Sequence, residues 1–124
     1  MPAQIVSFDP KGGPISAEIR CGYAQDGAYI LTLWGDNKIV ERFEGNFLDP
    51  QDDTHKFAGT AGSHAGRLIQ CRSEIGITPP IMHYALIMTL WQNGLALAVL
   101  TATGEEKAMM LVTLNLFARL QPRV

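Results

Sequence analysis

The sequence predicts an all-β fold, an antiparallel two-sheet sandwich or a closed barrel of eight or nine strands, on three observations. Turn-forming residues recur at about the eight-to-twelve-residue spacing of sandwiches and barrels. The segments between them alternate apolar and polar residues with a period near two, the signature of a half-buried strand. The C-terminal segments are apolar on both faces, so a single open sheet would leave one of those faces uncovered.

The chain has 124 residues, which suits a single domain, 1–124, burying roughly two-thirds of its unfolded surface. A net charge of −2, with 18% charged and 47% hydrophobic residues, excludes a disordered chain and offers no basic footprint for nucleic acid.

The first strand, 3–8, ends at Asp9-Pro10, and Lys11-Gly12-Gly13-Pro14 forms a loop. Strand 16–24 places Ile19 and Cys21 on one side and Glu18 and Arg20 on the other. Gln25-Asp26-Gly27 suits a three-residue hairpin loop with its glycine in the left-handed region, leading into strand 28–34. Gly35-Asp36-Asn37 is a second tight turn, before strand 38–47. Asp49-Pro50-Gln51-Asp52-Asp53 reads as a longer loop, followed by strand 54–58, a small-residue stretch from Gly59 to Gly66, and strand 66–75.

No Asp, Glu, Lys or Arg occurs from Ile75 to Gly104. A spanning helix needs ~20 apolar residues, but Gln92-Asn93-Gly94 divides this stretch, and Asn-Gly between apolar runs marks a hairpin. The stretch therefore reads as strands 81–92 and 95–103, with no membrane partner. Thr103-Gly104-Glu105-Glu106 is the next turn. In the last segment, 107–120, Val112, Leu114, Leu116, Ala118 and Leu120 alternate with Thr113, Asn115, Phe117 and Arg119, which predicts a strand. The helix formers from Glu105 to Leu111 leave a helix as the alternative.

A two-residue Asn93-Gly94 turn fixes a register: Leu90 opposite Leu97, Met88 opposite Val99, Leu86 opposite Thr101 and Tyr84 opposite Thr103 on one face. The other face pairs Trp91 with Ala96, Thr89 with Ala98, Ile87 with Leu100 and Ala85 with Ala102. A turn around Gly104 extends this to a three-strand meander, with Val99 opposite Met110 and Leu100 opposite Met109. One face of that meander would carry Ile87, Trp91, Leu100, Met109, Leu111 and Phe117 and would need cover from a second subunit, the chain's own loops or an apolar ligand. A symmetric subunit contact leads. There is also an echo: Leu31-Thr32-Leu33-Trp34 resembles Met88-Thr89-Leu90-Trp91, each with an upstream Ile-x-Cys triplet. Unequal spacings favour two convergent hairpins over duplicated halves.

No motif calls for a cofactor. His55 follows Asp52 and Asp53, which together are the weak candidates for a divalent ion, though the spacing matches no closed metal motif and a solvated turn explains it equally. His64, in the Gly59–Gly66 loop, and His83, after Pro79-Pro80, are the weak catalytic candidates, as proton carriers in a shared pocket. Cys71, on an apolar strand, would have a raised thiol pKa and makes a poor nucleophile. Tyr23, Tyr29 and Trp34, with Arg67 and Arg72, are candidates for an anion- or sugar-binding sheet surface; solvent-face arginines that protect sheet edges are the plainer explanation. The N-terminal residues show no basic segment followed by a long apolar one, so a cytoplasmic protein with Cys21 and Cys71 reduced is expected, a Cys21–Cys71 disulfide being the alternative.

Three function classes follow. The leading one is a non-enzymatic, homo-oligomeric binding module joined through the apolar C-terminal sheet. The second is a small-ligand-binding barrel or small enzyme with its pocket near His64, His83 and the Gly59–Gly66 loop, and the third is the anion- or sugar-binding surface.

Overall fold

The computed structural model describes residues 3–23, 25–47, 53–80 and 82–124. Nine strands, β1 Gln4–Phe8, β2 Ile15–Cys21, β3 Asp26–Gly35, β4 Lys38–Asn46, β5 Asp53–Lys56, β6 Leu68–Ile77, β7 His83–Gln92, β8 Leu95–Glu105 and β9 Met110–Pro122, form two sheets. Their orders are β1-β9-β6-β3-β4 and β5-β2-β7-β8, so the architecture is sandwich-like and not a closed barrel. Every pairing is antiparallel except β1 with β9. One apolar cluster lies between the sheets, including Leu31, Leu33, Ile69 and Ile75 from the first and Ile15, Ile19, Met88 and Leu90 from the second.

The three-strand meander does not form. β9 leaves β8 for the other sheet, where it lies between β1 and β6 and pairs Leu116 with Cys71 and Ala118 with Ile69. Thr103–Glu105 are part of β8 rather than a turn, and the chain crosses between sheets over 106–109. The cause lies in β9's own alternation: Leu116, Ala118 and Leu120 are buried, so the strand belongs over the core and not at the rim. This also settles the last segment as strand. Likewise Gln25-Asp26-Gly27 closes no hairpin, because β2 and β3 lie in different sheets. Residues 48–52, and with them most of the expected Asp49–Asp53 loop, lie outside the described residues, as do 24 and 81, at the ends of two expected strands.

The Asn93-Gly94 turn is present, with both residues at positive φ (54° and 74°), as a two-residue turn of the right-handed hairpin twist requires. The register changes one step beyond it. Trp91 faces Ala96 as expected, but a bulge follows, so that Leu90 faces Ala98, Met88 faces Leu100 and Ile87 faces Thr101. One inserted residue exchanges the faces of a strand. Leu100 therefore enters the core at 5% exposure, while Val99 is turned out at 55%.

The β3–β4 hairpin repeats this device. Its turn residues Asp36 and Asn37 have φ of 51° and 62°, and its register also shifts between Leu33 and Trp34, the counterparts of Leu90 and Trp91. Each hairpin buries a tyrosine across from a glycine, Tyr29 over Gly45 and Tyr84 over Gly104. The correspondence extends to the whole topology. β2-β3-β4-β5 and β6-β7-β8-β9 have the same pairing plan: the first strand of each half pairs with the fourth strand of its own half and the second strand of the other. The echo between the two tryptophan segments thus marks two interlocked halves of one plan, with β1 added outside. The Ile-x-Cys triplets fall two residues out of step in these registers, which hides the match in a linear comparison.

Candidate functional site

Four strands bound the sheets, and three of them are poor templates for a further strand. β1 is short, at 5 residues, and β5 carries Asp53 and Lys56 among its described residues. β4 carries Lys38, Glu41, Arg42 and Glu44, charges that oppose edge-to-edge pairing. β8 differs: it is 11 residues long, and Glu105 at its last position is its only charge. Among the described residues its backbone pairs on one side only, with β7. Leu95 and Val99 are exposed on it, and Ile87 and Trp91 of β7 are half-buried beside it.

The six residues expected at a subunit contact do not share one surface. Ile87 and Trp91 lie on the outer side of the four-stranded sheet, and Leu100 is in the core. Met109 and Leu111 are exposed where the chain enters β9, at 73% and 62%, and Phe117 is half-buried on the five-stranded sheet opposite Gln70. The bulge after Leu90 and the crossing before β9 cause this dispersal.

The histidines are likewise separated. His83 starts β7 and His64 sits beside Phe57, whose backbone N–H donates to Ile15, the residue opposite Gln92 at the other end of β7. A ten-residue strand, roughly 30 Å, lies between them. His83 stacks on Tyr23 (centroids 5.7 Å apart) with Glu105 4.0 Å away, all near the surface. His64 closes a short 3₁₀ turn, Ala61–His64, within the small-residue stretch, and is fully buried. The Arg67 guanidinium donates to its Nδ1 at 3.0 Å, so the ring proton sits on Nε2. Burial and then the Arg67 charge hold the His64 pKa below the usual histidine value, the Glu41 charge and the Ala58 backbone opposing them. The unfolded chain therefore takes up this proton near pH 6.5 while the folded chain resists it. Stability is complete above that pH and falls as the pH drops toward the folded pKa. In urea titrations, the wild-type midpoint should fall between pH 7.5 and pH 5, and the fall should shrink in His64→Gln; equal pH dependence would contradict the assignment.

Asp53 and His55 meet Tyr29, across the gap between the two sheets. The Tyr29 hydroxyl donates to Asp53 Oδ2 at 2.7 Å and lies 2.5 Å from His55 Nε2, which stacks on Phe43. A hydroxyl has one proton, so His55 Nε2 is the donor in that pair. Burial, then the bond to Asp53, holds the Tyr29 pKa far above its ordinary value, while burial lowers that of His55. This cluster ties β3 to β5 through satisfied polar groups. Among the described residues no three metal-ligating side chains converge, and Asp52 lies outside them.

Cys71 is fully buried, and burial pushes its thiol up to about 12; both cysteines are free and lie in different sheets. Arg42 and Arg72 pair with Glu44 and Glu74 at 2.7 and 3.9 Å on the solvent side. Tyr29 and Arg72 contribute to a shallow depression of about 330 Å³. Trp34 and Arg67 instead line two adjoining clefts of about 460 and 290 Å³, which share Asp36 and Gly66. Asp36, Asn37, Gln70 and Arg119 were not singled out from the sequence: the first two registered only as a turn, Gln70 only as the middle of an Ile-x-Cys triplet, and Arg119 only in the alternation of the last strand.

Among the described residues no helix is long and apolar enough to cross a membrane. In comparisons with known proteins, no family model, no curated protein and no solved structure matches the chain.

Proposed function

We propose that this protein is a non-enzymatic binding module that forms a symmetric homodimer through the free edge of β8. The carrying observation is that β8 is long, uncharged along Leu95–Gly104 and, among the described residues, paired on one side only, while β1 is short and β4 and β5 carry charges. A second β8 laid antiparallel across a two-fold axis meets no like charge along that stretch, satisfies the unpaired backbone groups and covers Leu95 and Val99. Ile87 and Trp91 continue the apolar surface beside the new pairing. This retains the C-terminal sheet as the contact and transfers its centre from Leu100 to the strand edge. The free cysteines fit a reducing setting such as the cytoplasm.

Amide hydrogen exchange tests the edge directly. In the wild-type protein, exchange within Leu95–Glu105 should slow about tenfold from low to high protein concentration, as the outward amides become paired. Lysines at Val99 and Thr101, both exposed, should remove that dependence and leave the rest of the sheet protected. Concentration-independent exchange in the wild type would count against the dimer. The catalytic reading has no comparable support, since its two histidines lie at opposite ends of the sandwich.

A further inference from the structure

We propose that the cleft between the Asp36-Asn37 turn and Gly66 binds carbohydrate, seating one pyranose ring of a neutral saccharide against Trp34. Its volume of about 460 Å³ is within the ~300–1,000 Å³ range of small-molecule sites. The tryptophan is held in place: its Nε1–H donates to Gln70 Oε1 at 3.0 Å, and Gln70 Nε2 donates to Asn115 Oδ1 at 3.1 Å. Both ends of the Gln70 amide are thus engaged in fixing the indole, which is half-buried and lines the cleft. The opposite rim is equally fixed. Arg119 Nη1 donates to the Gly66 carbonyl at 2.8 Å, and the Gly66 N–H donates to Leu120.

The polar groups around this platform are mixed in sign. Asp36 and Asn37 have no hydrogen bond to other described residues, and Arg119 keeps N–H donors beyond the one bound to Gly66. A carboxylate lining the same cleft opposes an anion, and the guanidinium opposes a cation. A sugar suits both, because its hydroxyls donate to Asp36 and accept from Arg119 and Asn37 while its C–H face lies on the indole. The two-halves plan provides an internal contrast. At the corresponding turn after Trp91, Asn93 accepts from Gly13 N–H at 2.9 Å, and the 9–13 loop is held there by three bonds to Gln92. That turn is closed by the chain itself, whereas the Asp36-Asn37 turn borders an open cleft.

The test follows the Trp34 indole N–H resonance, identified by its loss in Trp34→Phe. The probes are glucose, galactose, mannose, N-acetylglucosamine, maltose, cellobiose, lactose and chitobiose, with inorganic phosphate as the anion arm. At least one sugar should shift this signal saturably, with an affinity unchanged by added salt. Asp36→Asn, which the positive φ of the turn accommodates, should weaken binding about tenfold while preserving the fold. No shift with any of these sugars would overturn the proposal. So would a shift produced by phosphate alone and abolished by salt, which would mark an anion site instead.

Discussion

Replacing Leu100 by aspartate is expected to leave the protein unfolded, whereas the same replacement at Val99 should leave it folded. Leu100 is 5% exposed among apolar residues of both sheets. Truncating such a side chain costs about 2–5 kcal/mol, and a buried unpaired carboxylate adds several more, which together consume most of the ~5–15 kcal/mol that holds a domain folded. Within the single chain Val99, on the outer face of an edge strand, should cost no more than about 0.5 kcal/mol as a surface substitution, apart from any loss of the β8 pairing. Circular dichroism of the two purified variants decides the matter. Two folded variants, or a folded Leu100→Asp beside an unfolded Val99→Asp, would mean that the bulge after Leu90 is misplaced. The same pair bears on oligomerisation: an aspartate at Leu100 reports on the core, so a mass change in that variant says nothing about an interface.

The second large effect is expected at Gly45. A Cβ there would meet the Tyr29 hydroxyl and ring and the Asp53 carboxylate, and none of these is a loose side-chain end: Tyr29 is buried and bonded to Asp53 and His55. Gly45→Val must displace the tyrosine, with overpacking and two lost hydrogen bonds together costing about 3 kcal/mol. The melting temperature should drop by roughly 10 °C. Gly104→Val, under Tyr84, should act in the same direction, because each hairpin covers its glycine with a tyrosine from the paired strand. An unchanged melting temperature for Gly45→Val would show that the two sheets are not tied together by Tyr29.

Much of this architecture is legible in the residues themselves, for local reasons. Two-residue turns need positive φ, and Asp36-Asn37 and Asn93-Gly94 announce them by side-chain chemistry. The alternation of Val112, Leu114, Leu116, Ala118 and Leu120 marks a strand whichever neighbour it takes. The choice of neighbour is not local. β9 joins β6 rather than β8 because the core lies there, and a turn-like Gly104 is equally content inside a strand with Tyr84 over it. The bulge is similarly silent: nothing in Leu95-Ala96-Leu97-Ala98 marks an extra residue, yet it reverses the faces of Val99 and Leu100. Residues grouped as one apolar face were therefore divided among four surroundings. For the candidate sites, Trp34 stood out by composition, but Gln70 and Arg119 join it only through strand pairing with β6 and β9. The β8 edge became visible as a site only when β9 was found elsewhere.

The most direct test of the dimer is the native mass of the untreated, wild-type protein. With β8 edges paired about a two-fold axis, the predominant species should have twice the chain mass of 13.6 kDa. Introducing lysine at Val99 and Thr101 should return it to the single-chain mass. A wild-type protein found only at 13.6 kDa at high concentration would contradict the account.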